Sequence, residues 1–448
     1  MMMITSGQPT PPRESADTVR HILLKLPIRD VTRCSCVSRL WRDVVADPTF
    51  RRLHAEAEAA ANVPVASEAL LVMETREDCK PDEASFFCVS SSKTTPMPHR
   101  VFIPSGYSLS SVCNGLLCFA LDSATEVPAF LCNPLTGETA VLPRVSSAWL
   151  PDDPNIYHQF ALGFSPSTKE CKLFRFSTSP SDPHGGSLNE IEQGVCTLGG
   201  CSGWRQRSYM STFPLLRTSQ PVLIDGMLYL LAYGHTRPES LGPQNLGKML
   251  MVDVATEEHY MHCLPVKYNS QYYADYDPLV NAFEMSGRLC LAVNFLHPFQ
   301  KLQFWVMSPL PQDQWLPPQD EYAEIDDSKL CWDLHYSFDI HDTGRVTSTG
   351  AWFDDVEKTL CFRHGDVLFK NDTRGRSPEP SLDADCPPCD HLLELPATPV
   401  DCKWNIFGGY RPSLLSPLTL ATAQSPSCAE ARRQQFKHKL LLTLCGHE

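Results

Sequence analysis

Three stretches hold residue types that could do chemistry. Gly242-Pro243-Gln244-Asn245-Leu246-Gly247-Lys248 has the first seven positions of a phosphate-cradling loop, where backbone N–H groups and a lysine grip a nucleotide. The eighth position must be Ser or Thr to ligate magnesium, and here it is Met249. Such a loop also opens a helix, whereas Met249 to Val254 reads as a strand, so a hairpin loop without a nucleotide is expected. Cys386 and Cys389, with His391 and Cys402 nearby, show part of a zinc-ligand spacing. A structural zinc needs four ligands, usually as two knuckles; one pair joined by Pro-Pro predicts free thiols in a Pro-rich loop. His259 and His262 would share a helix face, but in an extended segment they point to opposite faces and cannot share a metal. Gly-x-Ser-x-Gly, His-Glu-x-x-His and Gly-x-Gly-x-x-Gly are all absent. These residues provide no catalytic constellation and call for no cofactor and no metal. The chemistry expected is that of binding.

Composition sets the limits within which those residues are positioned. The 448 residues carry 38 Lys plus Arg against 52 Asp plus Glu, a net charge of −14. An acidic chain makes a poor partner for nucleic acid, which selects a basic footprint. No apolar run approaches the ~18 residues of a membrane span, and Met1 to Pro12 lacks the charged and apolar regions of a signal peptide. No membrane association is expected. The 19 cysteines then read as reduced thiols, many of them small buried hydrophobes, in a cytoplasmic or nuclear protein. The 38 prolines exceed the usual ~5%, so long helices are expected only where proline is scarce.

One such place is residues 13–62, after a flexible lead over 1–12. Ser15 is a good N-cap with Asp17 in the first turn, and Val19, Ile22, Leu23 and Leu26 follow at i, i+3, i+4, i+7. Pro27 stops this helix and opens a second over Ile28 to Cys36. A third presents Val37, Leu40, Trp41 and Val44, and Asp47-Pro48 ends it. Ala55 to Ala61 reads as a helical spacer. From Arg13 to His54 nine basic and five acidic residues make the segment positive, unlike the remainder. Three short helices cannot bury all of Val19, Ile22, Leu26, Ile28, Val31, Val37 and Trp41 among themselves, so spare apolar surface for a partner is expected.

From Leu70 to about Pro417 the pattern is short strands between turns. Leu116–Phe119, Phe130–Cys132, Cys171–Phe176, Met227–Ala232, Met249–Val254, Leu289–Val293, Leu302–Val306 and Thr359–Phe362 are all short and apolar or alternating. No helical segments alternate with them, which argues against a parallel sheet. A turn dipeptide followed by x-Leu recurs at Asn114-Gly115, Asp225-Gly226 and Ser286-Gly287. A second turn type recurs at Asn133-Pro134-Leu135-Thr136-Gly137 and Asp253-Val254-Ala255-Thr256-Glu257, with a related Ser165-Pro166-Ser167-Thr168 between them. Repetition of this kind fits small antiparallel sheets arranged radially, a β-propeller over 70–420; two packed sheets are the alternative. Trp204, Trp305, Trp315, Trp332 and Trp352 are expected mostly as packing between the sheets. Residues 427–445, after Ser427-Cys428-Ala429-Glu430, read as a C-terminal helix. The fold class is therefore α+β multidomain: a small three-helix unit, then a mainly antiparallel β domain and a terminal helix.

The helical stretch resembles an F-box. His21-Ile22-Leu23-Leu24-Lys25-Leu26-Pro27-Ile28-Arg29-Asp30-Val31 is similar to its central Leu-Pro motif. Cys36-Val37-Ser38-Arg39-Leu40-Trp41 is similar to its Cys-Val-Ser-(Lys/Arg)-x-Trp signature, and Asp47-Pro48-Thr49-Phe50 to its closing Asp-Pro-x-Phe. One departure is Glu14-Ser15-Ala16-Asp17, where many members begin with Leu-Pro. The β portion is similar to the F-box-associated domain of plant F-box proteins. Val112-Cys113-Asn114-Gly115-Leu116-Leu117-Cys118, Cys132-Asn133-Pro134-Leu135-Thr136-Gly137, Leu162-Gly163-Phe164-Ser165-Pro166, Leu302-Gln303-Phe304-Trp305-Val306 and Pro412-Ser413-Leu414-Leu415-Ser416-Pro417 carry that likeness in order. The resemblance implies a non-catalytic substrate receptor of a ubiquitin ligase. Val19, Ile22, Leu23, Leu26, Pro27, Ile28, Val31, Val37 and Trp41 would dock on a Skp-family adaptor, and through it on cullin and RING subunits, while the β domain holds an unknown protein substrate. A propeller interaction module acting outside a ligase is the alternative reading.

Overall fold

The computed structural model describes residues 15–60, 68–74, 83–84, 86–89, 94–103, 106–121, 129–142, 157–180, 189–199, 204–211, 215–216, 219–233, 247–265, 279–295, 301–308, 331–339, 350–364, 367–374, 391–392 and 403–421. The chain divides into two units, Met1–Val63 with Pro412–Leu415, and Pro64–Arg411 with Ser416–Glu448. The lead over 1–12, the stretch 427–445, Cys386 to Cys389, Trp315 and the loop 242–246 lie outside the described residues.

The first unit is helical. α1 (Ala16–Leu23) starts where expected, its Thr18 N–H donating to the Ser15 hydroxyl at 3.2 Å. α2 (Ile28–Cys34) begins directly after Pro27, two residues shorter than expected. α3 (Arg39–Ala46) starts later than the apolar spacing suggested. Ser38 caps it, accepting from the Trp41 N–H, and Val37 is left in the preceding turn. α4 (Pro48–Ala60) corrects the three-helix expectation. Asp47-Pro48 closes α3 and also opens a continuous fourth helix. Proline is tolerated at the first helical position, and Asp47 Oδ1 accepts from the Thr49 N–H at 2.9 Å as a cap would. The presumed spacer is the second half of that helix.

The second unit is a six-bladed β-propeller of four-stranded antiparallel sheets. Blade I comprises Ser108–Cys113, Leu116–Ala120, Phe130–Asn133 and Glu138–Val141. Blade II has Tyr157–Phe164, Cys171–Pro180, Asn189–Thr197 and Arg205–Ser211. Blade III has Val222–Ile224, Met227–Tyr233, Gly247–Asp253 and His259–Cys263. Blade IV has Leu279–Met285, Arg288–Phe295, Lys301–Met307 and Trp332–Asp339. Blade V has Ala351–Asp354, Thr359–His364, Val367–Asp372 and His391–Leu392. Blade VI joins the two ends of the domain: Lys403–Tyr410 is its first strand, beside Glu68–Glu74, Phe86–Val89 and Thr94–Pro96. The first strand of each blade packs against that of the next, from blade I round through VI and back to I, so the ring closes. α5 (Pro417–Ala421) lies against the outer strands of blade I, its Leu420 carbonyl accepting from the Gly199 N–H at 2.6 Å.

Apolar clusters fill the seams between blades. Phe174 and Phe176 of blade II meet Leu228, Leu230 and Leu250 of blade III. Met249 and Met251 of blade III meet Leu289 and Leu291 of blade IV. Phe304 of blade IV meets Phe353 and Phe362 of blade V. Trp352 and Trp404 bury in the seam of blades V and VI, while Trp204, Trp305 and Trp332 are half-buried.

The repeated turns are the joints. Asn114-Gly115, Asp225-Gly226 and Ser286-Gly287 each link the first strand to the second, in blades I, III and IV, with both central residues at positive φ. That is the hairpin geometry whose twist matches the strands. In the other turn type a side chain accepts from the N–H two or three residues on: Asn133 to Leu135, Asp253 to Ala255, Ser165 to Thr168, and Asp354 to Val356. The Asp354 copy was not foreseen. The Ser165 copy joins strands one and two, whereas those at Asn133 and Asp253 join strands three and four.

Candidate functional site

The helical unit holds the candidate docking surface. α3 packs on α1, α2 and α4, and Val19, Leu23, Ile28, Val31, Val44, Val45 and Phe50 are buried. Of the nine residues that the sequence nominated, Val19, Leu23, Ile28 and Val31 are thus interior. Leu26 and Trp41 are half-buried, and Ile22, Pro27 and Val37 are exposed. Ile22 is 44% exposed, Val37 66% and Leu53 38%. Val356 is the only other large hydrophobic exposed among the described residues of the chain. Leu53 was missed in the sequence because Asp47-Pro48 was taken as the end of the third helix and the helical spacer as starting only at Ala55, which left residues 49–54 unassigned to a helix.

Two long-range ties hold this surface. The Arg20 guanidinium donates to the Asp47 carboxylate at 2.5 Å, fixing α1 to the corner between α3 and α4. A backbone hydrogen bond from Thr49 and the charge and hydrogen bond of Arg20 hold the Asp47 carboxyl below its ordinary value, against the opposing effect of burial. His54 of α4 is 2% exposed, and its Nε2 lies 3.1 Å from the Leu26 carbonyl. A carbonyl can only accept, so Nε2 carries the proton. Phe50, one turn earlier, is fully buried with its ring 5.9 Å from that of His54.

Among the described residues, the parts of these stretches that are described do not come together as a site; Cys386 to Cys389 and Cys402 lie outside them. Gly247 and Lys248 lie in the third strand of blade III, not at a helix start. His259 and His262 sit on one strand, His262 buried and His259 half-buried and stacked on Tyr209, as opposite faces require. Among the described residues no group of three or more His, Cys, Asp or Glu is placed to hold a metal. Desolvation pushes the thiols of half-buried Cys171 and buried Cys361 up to about 12, which removes the thiolate a nucleophile needs.

Comparison with known proteins adds the family. The family described as the F-box associated beta propeller domain matches residues 66–329, and the F-box domain matches residues 16–53. An F-box protein of Arabidopsis thaliana is 27% identical over 219 residues, 48% of this chain and 48% of the relative. An F-box/kelch-repeat protein of the same plant is 28% identical over 233 residues, 48% of this chain and 51% of the relative. The chain spans about half the length of the curated relatives it matches. Among solved structures, the major allergen of Malassezia sympodialis aligns with 61% of this chain and 75% of its own. Its 11% identity and TM-score of 0.32 are too low to carry an argument.

Proposed function

Since the chain belongs to the F-box-associated β-propeller family, with an F-box ahead of the propeller, we propose that it is the substrate receptor of a Skp–cullin–F-box ubiquitin ligase. F-box domains generally bind Skp-family adaptors, and proteins of this type are generally non-catalytic. The receptor acts by proximity: two binding surfaces on one chain raise the effective concentration of a target's lysines near the charged ubiquitin carrier. The work is set in the cytoplasm or nucleus. The observation that carries the reading is the distribution of exposed apolar side chains. Ile22, Val37 and Leu53, three of the four large ones exposed among the described residues, lie on the short helical unit. Ile22, Pro27 and Val37, flanked by half-buried Leu26 and Trp41, are proposed to make the adaptor contact. Val19, Leu23, Ile28 and Val31 shape the helices beneath.

The test is co-purification with a Skp-family adaptor. The full chain is expected to form a binary complex. Ile22→Asp with Val37→Asp is expected to abolish it while leaving the thermal melt unchanged, since both side chains face solvent. Undiminished binding by a folded double variant overturns the reading and favours a propeller module working outside a ligase.

A further inference from the structure

We propose that His54 is the positioning residue of the docking surface. Its buried ring holds the Leu26 carbonyl, and so the Leu26-Pro27 turn, in one conformation before any partner arrives. The inference rests on the docking role proposed above for that turn. It goes beyond that role in assigning to α4 a part that neither the docking residues nor the family match assigns.

The argument begins with backbone bookkeeping. α1 ends at Leu23, and the Lys25 and Leu26 N–H groups donate back to the Ile22 and Leu23 carbonyls, each at 3.1 Å. On the far side, the Asp30 and Val31 N–H groups both donate to the Pro27 carbonyl, at 2.9 and 3.1 Å. The Leu26 carbonyl falls between these two sets. It precedes a proline, and α2 receives no side-chain cap at that position. Neither helix supplies this half-buried turn with a donor for that carbonyl, so a fixed donor has to come from elsewhere in the chain. His54 supplies it from 28 positions along the chain.

The placement suits positioning more than contact. His54 is 2% exposed and cannot itself touch a partner, yet its acceptor belongs to the residue next to exposed Pro27. Phe50 walls the ring from one side, and Arg20–Asp47 fixes the start of α4. A turn held in its bound shape need not be ordered on association, and that saving appears as affinity.

Two variants of the full chain separate the hydrogen bond from the bulk of the ring. His54→Gln keeps an N–H donor, and His54→Phe keeps the volume and loses the donor. Amide hydrogen exchange over residues 24–31 of the free chain is read first, then affinity for a Skp-family adaptor. His54→Phe is expected to speed exchange across the turn and to weaken binding about tenfold, the loss of one net hydrogen bond; His54→Gln is expected to recover most of both. Unchanged exchange in His54→Phe, or equal loss in both variants, overturns the proposal, because bulk alone would then set the turn. If the parent chain binds no adaptor, the receptor reading falls while the exchange experiment still decides what His54 does. If both variants keep native exchange at the turn but bind weakly, His54 acts on the partner by another route and the proposal is again overturned.

Discussion

Lys172 is sealed almost entirely from water, yet it stays paired, because blade III presents Glu257 to it. Lys172 Nζ donates to Glu257 Oε1 at 2.9 Å and to the Ala255 carbonyl at 3.0 Å, and Arg205 donates to the same carboxylate. Burial alone would raise the Glu257 carboxyl, but the hydrogen bonds and charges of Arg205 and Lys172 outweigh it and hold the group below its ordinary value. A carboxylate depressed by folding contributes stability above its unfolded pKa, near 4.3, and loses it as pH falls through the folded value. Glu257→Gln is expected to cost roughly 2 kcal/mol at pH 7 and to flatten the acid limb, less than a fully stranded ion because the Ala255 carbonyl remains. Urea melts at neutral and acid pH measure both effects. Arg175 and Glu192 pose a different case. Both are buried and joined at 3.1 Å, but Arg175 Nε and Nη1 and Glu192 Oε2 have no protein partner. Burial pulls the Arg175 guanidinium down and pushes the Glu192 carboxyl up, each opposed by the other's charge. Arg175→Met is expected to cost about 3–5 kcal/mol, and adding Glu192→Leu to recover most of it, a coupling that a double-mutant cycle reads directly. Neither group was legible in the sequence. Phe174-Arg175-Phe176 looks like a half-exposed strand, whereas an interior strand of a blade is covered on both faces.

At the scale of elements, the turns were the legible part and the helix ends the less legible. Asn114-Gly115, Asp225-Gly226 and Ser286-Gly287 announced three hairpins because a two-residue loop demands positive φ, and glycine meets that demand without strain. Their surroundings differ, which predicts a graded response. A Cβ on Gly287 meets nothing within 4 Å, so Gly287→Ala is expected to cost about 1 kcal/mol of backbone strain alone. A Cβ on Gly226 would lie 2.8 Å from Pro166 Cδ, so Gly226→Ala is expected to cost clearly more; thermal melts of the two variants rank them. The second turn family was readable from Asn133 and Asp253 because an Asx side chain closes the turn on itself. Asp354-Asp355-Val356 escaped notice because it lacks both proline and threonine. Pro48 was read as a stop since proline breaks helix interiors, although the first helical turn accepts it. The outer strand Arg205–Ser211 gave no apolar alternation to find, as four of its residues, 205–208, are exposed.

Across the whole molecule, what the sequence left unread was closure. Lys403–Tyr410 pairs with Glu68–Glu74, completing blade VI from opposite ends of the domain, and no local pattern encodes a partner more than 300 residues away. Gly408 sits in that strand where a Cβ would lie 2.6 Å from the Ala351 carbonyl oxygen of blade V. Gly408→Val is therefore expected to force the first strands of blades V and VI apart. It should lower the melting temperature by several degrees and admit protease between residues 68 and 96 before the rest of the ring, which peptide mapping of a brief digest checks. The same arrangement sets a schedule for synthesis. A ribosome working at about 5–20 residues per second needs roughly 15–60 s to pass from Pro96 to Lys403. Throughout that interval the four helices have emerged while the ring still lacks the strand that closes it, so the surface proposed for the adaptor is available on the nascent polypeptide before the one proposed for the substrate is finished.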